Sequence, residues 1–129
     1  MTGGYGFIAS NLIRYTLEKN SDVRITNVDS LSFGSNPSNL KDIKRDPRYH
    51  FVKGDIANPS LVNRLVRKVD AVINVAAETH VDRSIANPKP FLRSNTTGAF
   101  TILESVRKLN PTIRVVHVST DEIYGDILG

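Results

Sequence analysis

Thr2-Gly3-Gly4-Tyr5-Gly6-Phe7-Ile8-Ala9 is the stretch on which the fold of this chain turns. Gly3, Gly6 and Ala9 stand at the spacing G-x-x-G-x-x-A, and helical periodicity starts at once, with Ile8, Leu12 and Tyr15 marking a helix to about Lys19. Glycine at such a turn accepts positive φ and lets a phosphate approach the backbone closely. The helix behind it offers free N–H groups and the positive end of its dipole to an anion. Ala9 replaces a third glycine where only close helix–strand packing is at stake. Alone, the loop would also suit a plain turn, and the strands and the acid beyond it decide between the two.

Val23 to Val28 reads as a strand ended by Asp29-Ser30, and residues 34–47, rich in Ser, Asn, Pro and charge, read as loop with one helical turn at most. A short strand at Phe51-Val52 closes at Gly54-Asp55. Asn58-Pro59 has the form of an N-cap followed by proline at the first helical position, with Leu61, Val62, Leu65 and Val66 as the buried face. Ala71 to Ala77 is nearly all apolar, as in a parallel strand covered on both faces. Leu92, Asn95, Ala99, Ile102, Val106 and Leu109 recur at helical spacing from about Pro90, and Arg114 to Val118 is the last strand. Strands alternating with helices predict an α/β fold with a doubly wound, Rossmann-like parallel sheet. A glycine loop of this kind should follow a strand, yet it begins at Thr2, so the usual first strand is missing from the middle of the sheet. The strands on either side would then close up and pair directly, be covered by another chain, or leave the domain molten. Bare apolar edges favour association, so a homo-oligomer is expected.

Asp29 ends the second βα strand about twenty residues beyond the glycines, where a carboxylate accepts hydrogen bonds from an adenosine ribose. The same charge repels a 2′-phosphate, and Ser30-Leu31-Ser32 brings no arginine to receive one. NAD is therefore favoured over NADP.

Composition narrows the alternatives. The 129 residues are 40% hydrophobic and 23% charged, the balance of an ordinary globular domain. Cysteine is absent and only His50, His80 and His117 are present, so no thiolate site and no metal site are expected. A net charge of +4 invites a nucleic-acid reading, but groupings such as Lys41, Lys44, Arg45 are short and lack interleaved aromatics, so solvated helix faces are expected instead. With no membrane-length apolar run and no signal-peptide pattern, a cytoplasmic location is expected.

Several segments together resemble the extended short-chain dehydrogenase/reductase family and, within it, the dTDP-glucose 4,6-dehydratases, which are NAD-dependent lyases. The glycine loop, with Phe7 and Ile8, is similar to the family's own. Gly54-Asp55-Ile56 matches its adenine-contacting segment, with Asp55 for the exocyclic amine and Ile56 for the ring face. Ala76-Ala77-Glu78-Thr79-His80-Val81-Asp82-Arg83-Ser84 looks like the family's A-A-E-S-H-V-D-R-S, and Ser94-Asn95 with Gly98 matches its long helix. The resemblance implies that Ala76 and Ala77 touch the cofactor and that Glu78, His80, Arg83, Ser84 and Asn95 face the substrate. Ser119-Thr120-Asp121-Glu122-Ile123-Tyr124-Gly125-Asp126 resembles S-T-D-E-V-Y-G-D, and related epimerases differ at this segment. By that motif Thr120 would hydrogen-bond the sugar C4 oxygen, Asp121 would be the general acid and Glu122 the general base. Two adjacent acids can divide those roles only if their environments push their pKa values apart.

The family's Tyr-x-x-x-Lys pair is expected beyond Gly129, since Tyr124 is followed four positions later by Leu128. The sugar-nucleotide domain is expected there too. The reading is thus a partial NAD-binding domain of a nucleotide-sugar dehydratase, inactive alone. A non-catalytic nucleotide-binding or interaction module, or a fragment of a related epimerase, would be the alternative.

Overall fold

A computed structural model describes residues 1–125. Helix α1 (Phe7–Lys19) leads to strand β1 (Ile25–Asp29), a 3-10 turn at Pro37–Leu40, strand β2 (Tyr49–Lys53), helix α2 (Pro59–Val66) and strand β3 (Ala71–Asn74). Helices α3 (Val81–Ala86) and α4 (Lys89–Phe91), a π-helical segment (Leu92–Gly98), helix α5 (Ala99–Leu109), strand β4 (Arg114–His117) and a 3-10 turn (Asp121–Tyr124) complete it. All strand pairing is parallel. β1 pairs with β2 from Ile25 opposite Tyr49 to Asp29 opposite Lys53, and β3 with β4 from Ala71 opposite Arg114 to Asn74 opposite His117.

The gap expected between β1 and β3 is not bare, which corrects the direct pairing of these two strands foreseen for it. Thr2 forms parallel bridges to Val28 on one side and Asn74 on the other. The Val28 amide donates to the Met1 carbonyl at 2.9 Å, the Gly3 amide to the Val28 carbonyl at 2.8 Å, and the Thr2 amide to the Ile73 carbonyl at 3.0 Å. Residues 1–3 thus act as a short piece of central strand, giving the order β2–β1–Thr2–β3–β4. Towards the start of β1 and β3 a small apolar cleft of about 50 Å³ remains, lined by Met1, Thr26, Leu65, Val69 and Ala71 among others.

Two-residue alternation in β1 sorts the core. Ile25 joins Tyr5, Ile13, Leu17, Leu40 and Tyr49 beneath α1, whereas Val28 joins Ile56, Val62, Val72, Ile102 and Val106 under α2 and α5. α2 starts as read, with the Asn58 side chain accepting from Ser60 and Leu61 amides and Pro59 first in the helix. β3 is shorter than Ala71 to Ala77. After Asn74 the Val75 and Ala76 amides turn to the Thr2 hydroxyl, each at 3.3 Å, and the ladder stops. The helix expected from about Pro90 runs from Lys89 to Leu109 and widens to π geometry between Leu92 and Gly98, while α3 has no counterpart in the periodicity reading. β4 is an outer strand with Val116 53% exposed.

Candidate functional site

The C-terminal ends of β1, β2 and β3 open into one cavity of about 510 Å³, within the size range of ligand sites. Its floor is the glycine turn. Gly3 has φ +68, and a Cβ there would lie 2.8 Å from the Ala76 Cα, so both conformation and space require glycine. Gly6 differs: with φ −72 it needs no glycine torsion, and it is the N-cap of α1 with no side-chain hydrogen bond to that helix's first turn. The α1 amides are left for whatever enters the cavity, which Gly3, Gly6 and Phe7 line. Phe7 and Ile8 are themselves 81% and 59% exposed.

Two residues absent from the sequence reading hold this turn. The Gly4 amide donates to Asn27 Oδ1 at 3.0 Å, and Asn27 Nδ2 donates to the Tyr49 hydroxyl at 2.8 Å. Asn27 is fully buried, and a Cβ on Gly4 would collide with it at 2.0 Å. An Asn between Ile25 and Val28 in a strand of a parallel sheet was the available signal, since a buried amide must find partners.

Asp29 lines the cavity but is 4% exposed and already engaged. Its Oδ1 accepts from the Leu31 amide at 2.8 Å and the Ser35 hydroxyl at 2.7 Å, and its Oδ2 accepts from the Tyr5 amide at 3.0 Å. Only Oδ2 keeps a free lone pair. The turn it organises holds Leu31 at φ +60, a strained position for a side-chain-bearing residue.

Across the cavity, Asp55 Oδ1 accepts from the Ala57 amide at 2.7 Å and Oδ2 from Arg93 Nε at 2.6 Å. The Ile56 side chain is 5% exposed and belongs mostly to the core beneath α2 and α5, leaving little of it for a ring face. Ala76, Ala77, Glu78 and His80 line the far wall. Asn95 clamps that wall, its Oδ1 accepting from the Glu78 amide and its Nδ2 donating to the Glu78 carbonyl, both at 2.8 Å. Arg83 lies over the Phe33 ring at 3.9 Å, and His80 meets the same ring edge-on at 5.9 Å. The Arg83 Nη1 is buried without a hydrogen bond among the described residues, and Glu78 Oε2 stands 3.6 Å from it. The Ser84 hydroxyl donates to the Val81 carbonyl inside α3.

Thr120 and Asp121 sit past the end of β4, exposed and outside the lining of this cavity. Glu122 belongs to the adjoining 3-10 turn; its side chain, like Asp126 and Leu128, lies outside the described residues. The β4 end is tied back to the glycine turn. The Val118 amide donates to the Asn74 carbonyl, Asn74 Nδ2 contacts His117 Nδ1 at 2.8 Å, and the Thr2 hydroxyl donates to Asn74 Oδ1. The sequence does contain the spacing Tyr-x-x-x-Lys twice, at Tyr15/Lys19 and Tyr49/Lys53. The first pair is on the outside of α1 and the second along β2, and neither lines the cavity. Among the described residues no group of His, Cys, Asp and Glu could hold a metal, and no helix is long and apolar enough to cross a membrane.

Parallel strands in this order, a glycine turn feeding the first helix and a cavity along the strand ends define a Rossmann-like α/β domain. The chain belongs to the family described as GDP-mannose 4,6 dehydratase, whose model matches residues 1–128. It is 45% identical over 127 residues to a dTDP-glucose 4,6-dehydratase of Mycolicibacterium smegmatis, covering 98% of this chain and 37% of that protein. It is also similar to the crystal structure of the Streptomyces venezuelae dTDP-glucose 4,6-dehydratase DesIV with NAD bound. There the TM-score is 0.88 and the identity 44%, over 99% of this chain and 41% of the other. The corresponding enzyme of Bacillus anthracis, also solved with NAD, gives a TM-score of 0.84 at 41% identity, over 98% of this chain and 38% of that one. The chain thus spans about two fifths of the length of the relatives it matches.

Proposed function

We propose that this chain supplies the NAD-binding part, and the acid–base segment, of a nucleotide-sugar 4,6-dehydratase acting on a dTDP-sugar. The observation that carries the reading is the single cavity joining the glycine turn, Asp29, Asp55 and residues 76–80. Its parts fit a dinucleotide. The Gly3 turn leaves room only for backbone beside Ala76, the α1 N-terminus has uncommitted amides for a pyrophosphate, and Asp29 Oδ2 can accept one ribose hydroxyl. NAD, held by the Gly3 turn, the α1 amides and Asp29, would supply reversible hydride acceptance for the sugar. This chain's residues bind and orient: Asn95 fixes the Glu78 backbone beside the cavity, and Phe33 and Glu78 hold Arg83 near its mouth. Thr120 donates a hydrogen bond to the sugar C4 oxygen, Glu122 takes the C5 proton and Asp121 protonates the departing C6 hydroxyl. The Thr-Asp-Glu order at the end of β4 favours this dehydration over epimerisation.

Neither Tyr-x-x-x-Lys spacing reaches the cavity, so the isolated chain is expected to form no 4-keto-6-deoxy sugar from dTDP-glucose. Calorimetric titration tests both halves of the reading. NAD should bind with a dissociation constant in or above the micromolar range, without turnover. Absence of NAD binding would overturn the cofactor assignment. Turnover that disappears in Glu122→Gln would overturn the claim of inactivity.

A further inference from the structure

The family resemblance puts the adenine amine at Asp55, and the neighbouring Arg93 gives that end of the cavity a second functional group that the acidic side chain alone lacks. Arg93 lies in the widened π turn (Leu92–Gly98) and reaches 38 residues back to Asp55, touching Oδ2 through Nε alone at 2.6 Å. The other Asp55 oxygen is held by the Ala57 amide. Both side chains line the cavity beside Ile56, Pro90 and Ser94. Arg93 is 62% exposed, and its two terminal nitrogens have no hydrogen-bond partner among the described residues. Four N–H donors therefore stand next to a carboxylate whose two oxygens each keep one lone pair.

A carboxylate by itself only accepts. It would take the 6-amino group of adenine and repel the 6-keto oxygen of hypoxanthine, which is the asymmetry that lets a polar site reject an analogue. A carboxylate with a guanidinium at its side presents an acceptor and donors together. The adenine edge offers an amine and an acceptor nitrogen, and the hypoxanthine edge offers a keto oxygen and an N–H. The pair can answer either pattern by exchanging which member meets which atom. We propose that Arg93 is a specificity-determining residue that makes this site tolerant of a 6-keto purine. The inference rests on the dinucleotide reading of the cavity.

The 129-residue chain is titrated with NAD, with its hypoxanthine analogue and with ADP-ribose, as the original sequence and as Arg93→Met and Arg93→Lys. In the original chain the two dinucleotides should bind within about fivefold of each other, because each can make the same number of hydrogen bonds. Arg93→Met should widen the ratio to at least about tenfold in favour of NAD by weakening the hypoxanthine analogue, since its keto oxygen then faces Asp55 unpaired. Arg93→Lys should restore part of the tolerance. A variant that weakens both ligands equally, with the ratio unchanged, gives Arg93 a merely structural role and overturns the inference while the dinucleotide site stands. Strong preference for NAD in the original chain overturns it too. Failure of NAD and ADP-ribose alike to bind removes the dinucleotide site itself and the inference with it.

Discussion

Gly3 combines a left-handed torsion with backbone contact to Ala76, so a methyl group there meets two separate penalties. A side chain at φ +68 costs roughly 1–2 kcal/mol, and displacing the Ala76 backbone adds to it. Gly3→Ala should lower the urea unfolding free energy by about 2 kcal/mol or more and abolish NAD binding, whereas Gly34→Ala, also at positive φ but with nothing near a Cβ, should show only the torsional part. Asp29 illustrates a residue with two employments. Three intrachain donors occupy it, so Asp29→Ala would orphan the Tyr5 and Leu31 amides at about 1–3 kcal/mol each. Asp29→Asn keeps much of the turn while removing the charge. Competitive titration should show NAD bound more tightly than NADP by the original chain and a gap narrowed severalfold in Asp29→Asn. Equal affinities in the original chain would refute the role given to the Asp29 charge.

Among the elements, α2 depends on a local signal that can be tested directly. Asn58 accepts from two first-turn amides, so Asn58→Ala should cost about 1 kcal/mol in urea or thermal unfolding, and Asn58→Ser much less. This helix was legible because cap, proline and apolar face all lie between Asn58 and Val66. α1, which has no capping side chain, was legible to about Lys19 from its apolar periodicity after the glycine turn. The π segment was not. Its apolar spacing fits an ordinary helix, and what pins it, Asn95 against Glu78 and Arg93 against Asp55, comes from residues 17 and 38 positions away. Thr2 was illegible for a related reason. A single residue pairing with strands on both sides has no periodicity to display. At the site, glycine spacing and the acid after β1 could be read from sequence, but the commitment of Asp29 to its own loop could not, because Ser35 and Tyr5 carry no pattern that marks them as its donors.

On the scale of the whole molecule, residues 1–3 tie the two strand pairs into one sheet. In a polypeptide made of these 129 residues the Met1 amine donates to the Thr26 carbonyl at 2.8 Å, and burial lowers its pKa from 8.0 to about 6. An amine whose pKa is lower in the folded chain holds fewer protons there than when unfolded, so stability should rise between pH 6 and pH 8 and level off above. The full effect of a shift of this size would be at most about 2.7 kcal/mol, a large share of the roughly 5–15 kcal/mol that holds a small domain together. Chemical denaturation from pH 5.5 to 8.5 measures it, and a flat profile would show the amine to be solvated. The apolar cleft below Met1 and the exposed face of β4 leave strand surface uncovered, so concentration-dependent association is expected. Sedimentation across a dilution series checks this, with a monomer at every concentration as the contrary outcome.

That same bridge sets how the molecule should breathe. Each strand pair, β1–β2 and β3–β4, is knit internally by parallel pairing, but within the sheet the backbones of the two pairs are joined through residues 1–3 by three amides, those of Thr2, Gly3 and Val28. Solvent deuterium should therefore reach these three amides together and early, through one shared opening whose free energy is well below that of global unfolding, while Ile13 and Ile102 in the two clusters stay protected. The glycine turn lies on that seam, and a ligand seated on it would grip both halves, so the three amides should slow in concert when the cavity fills.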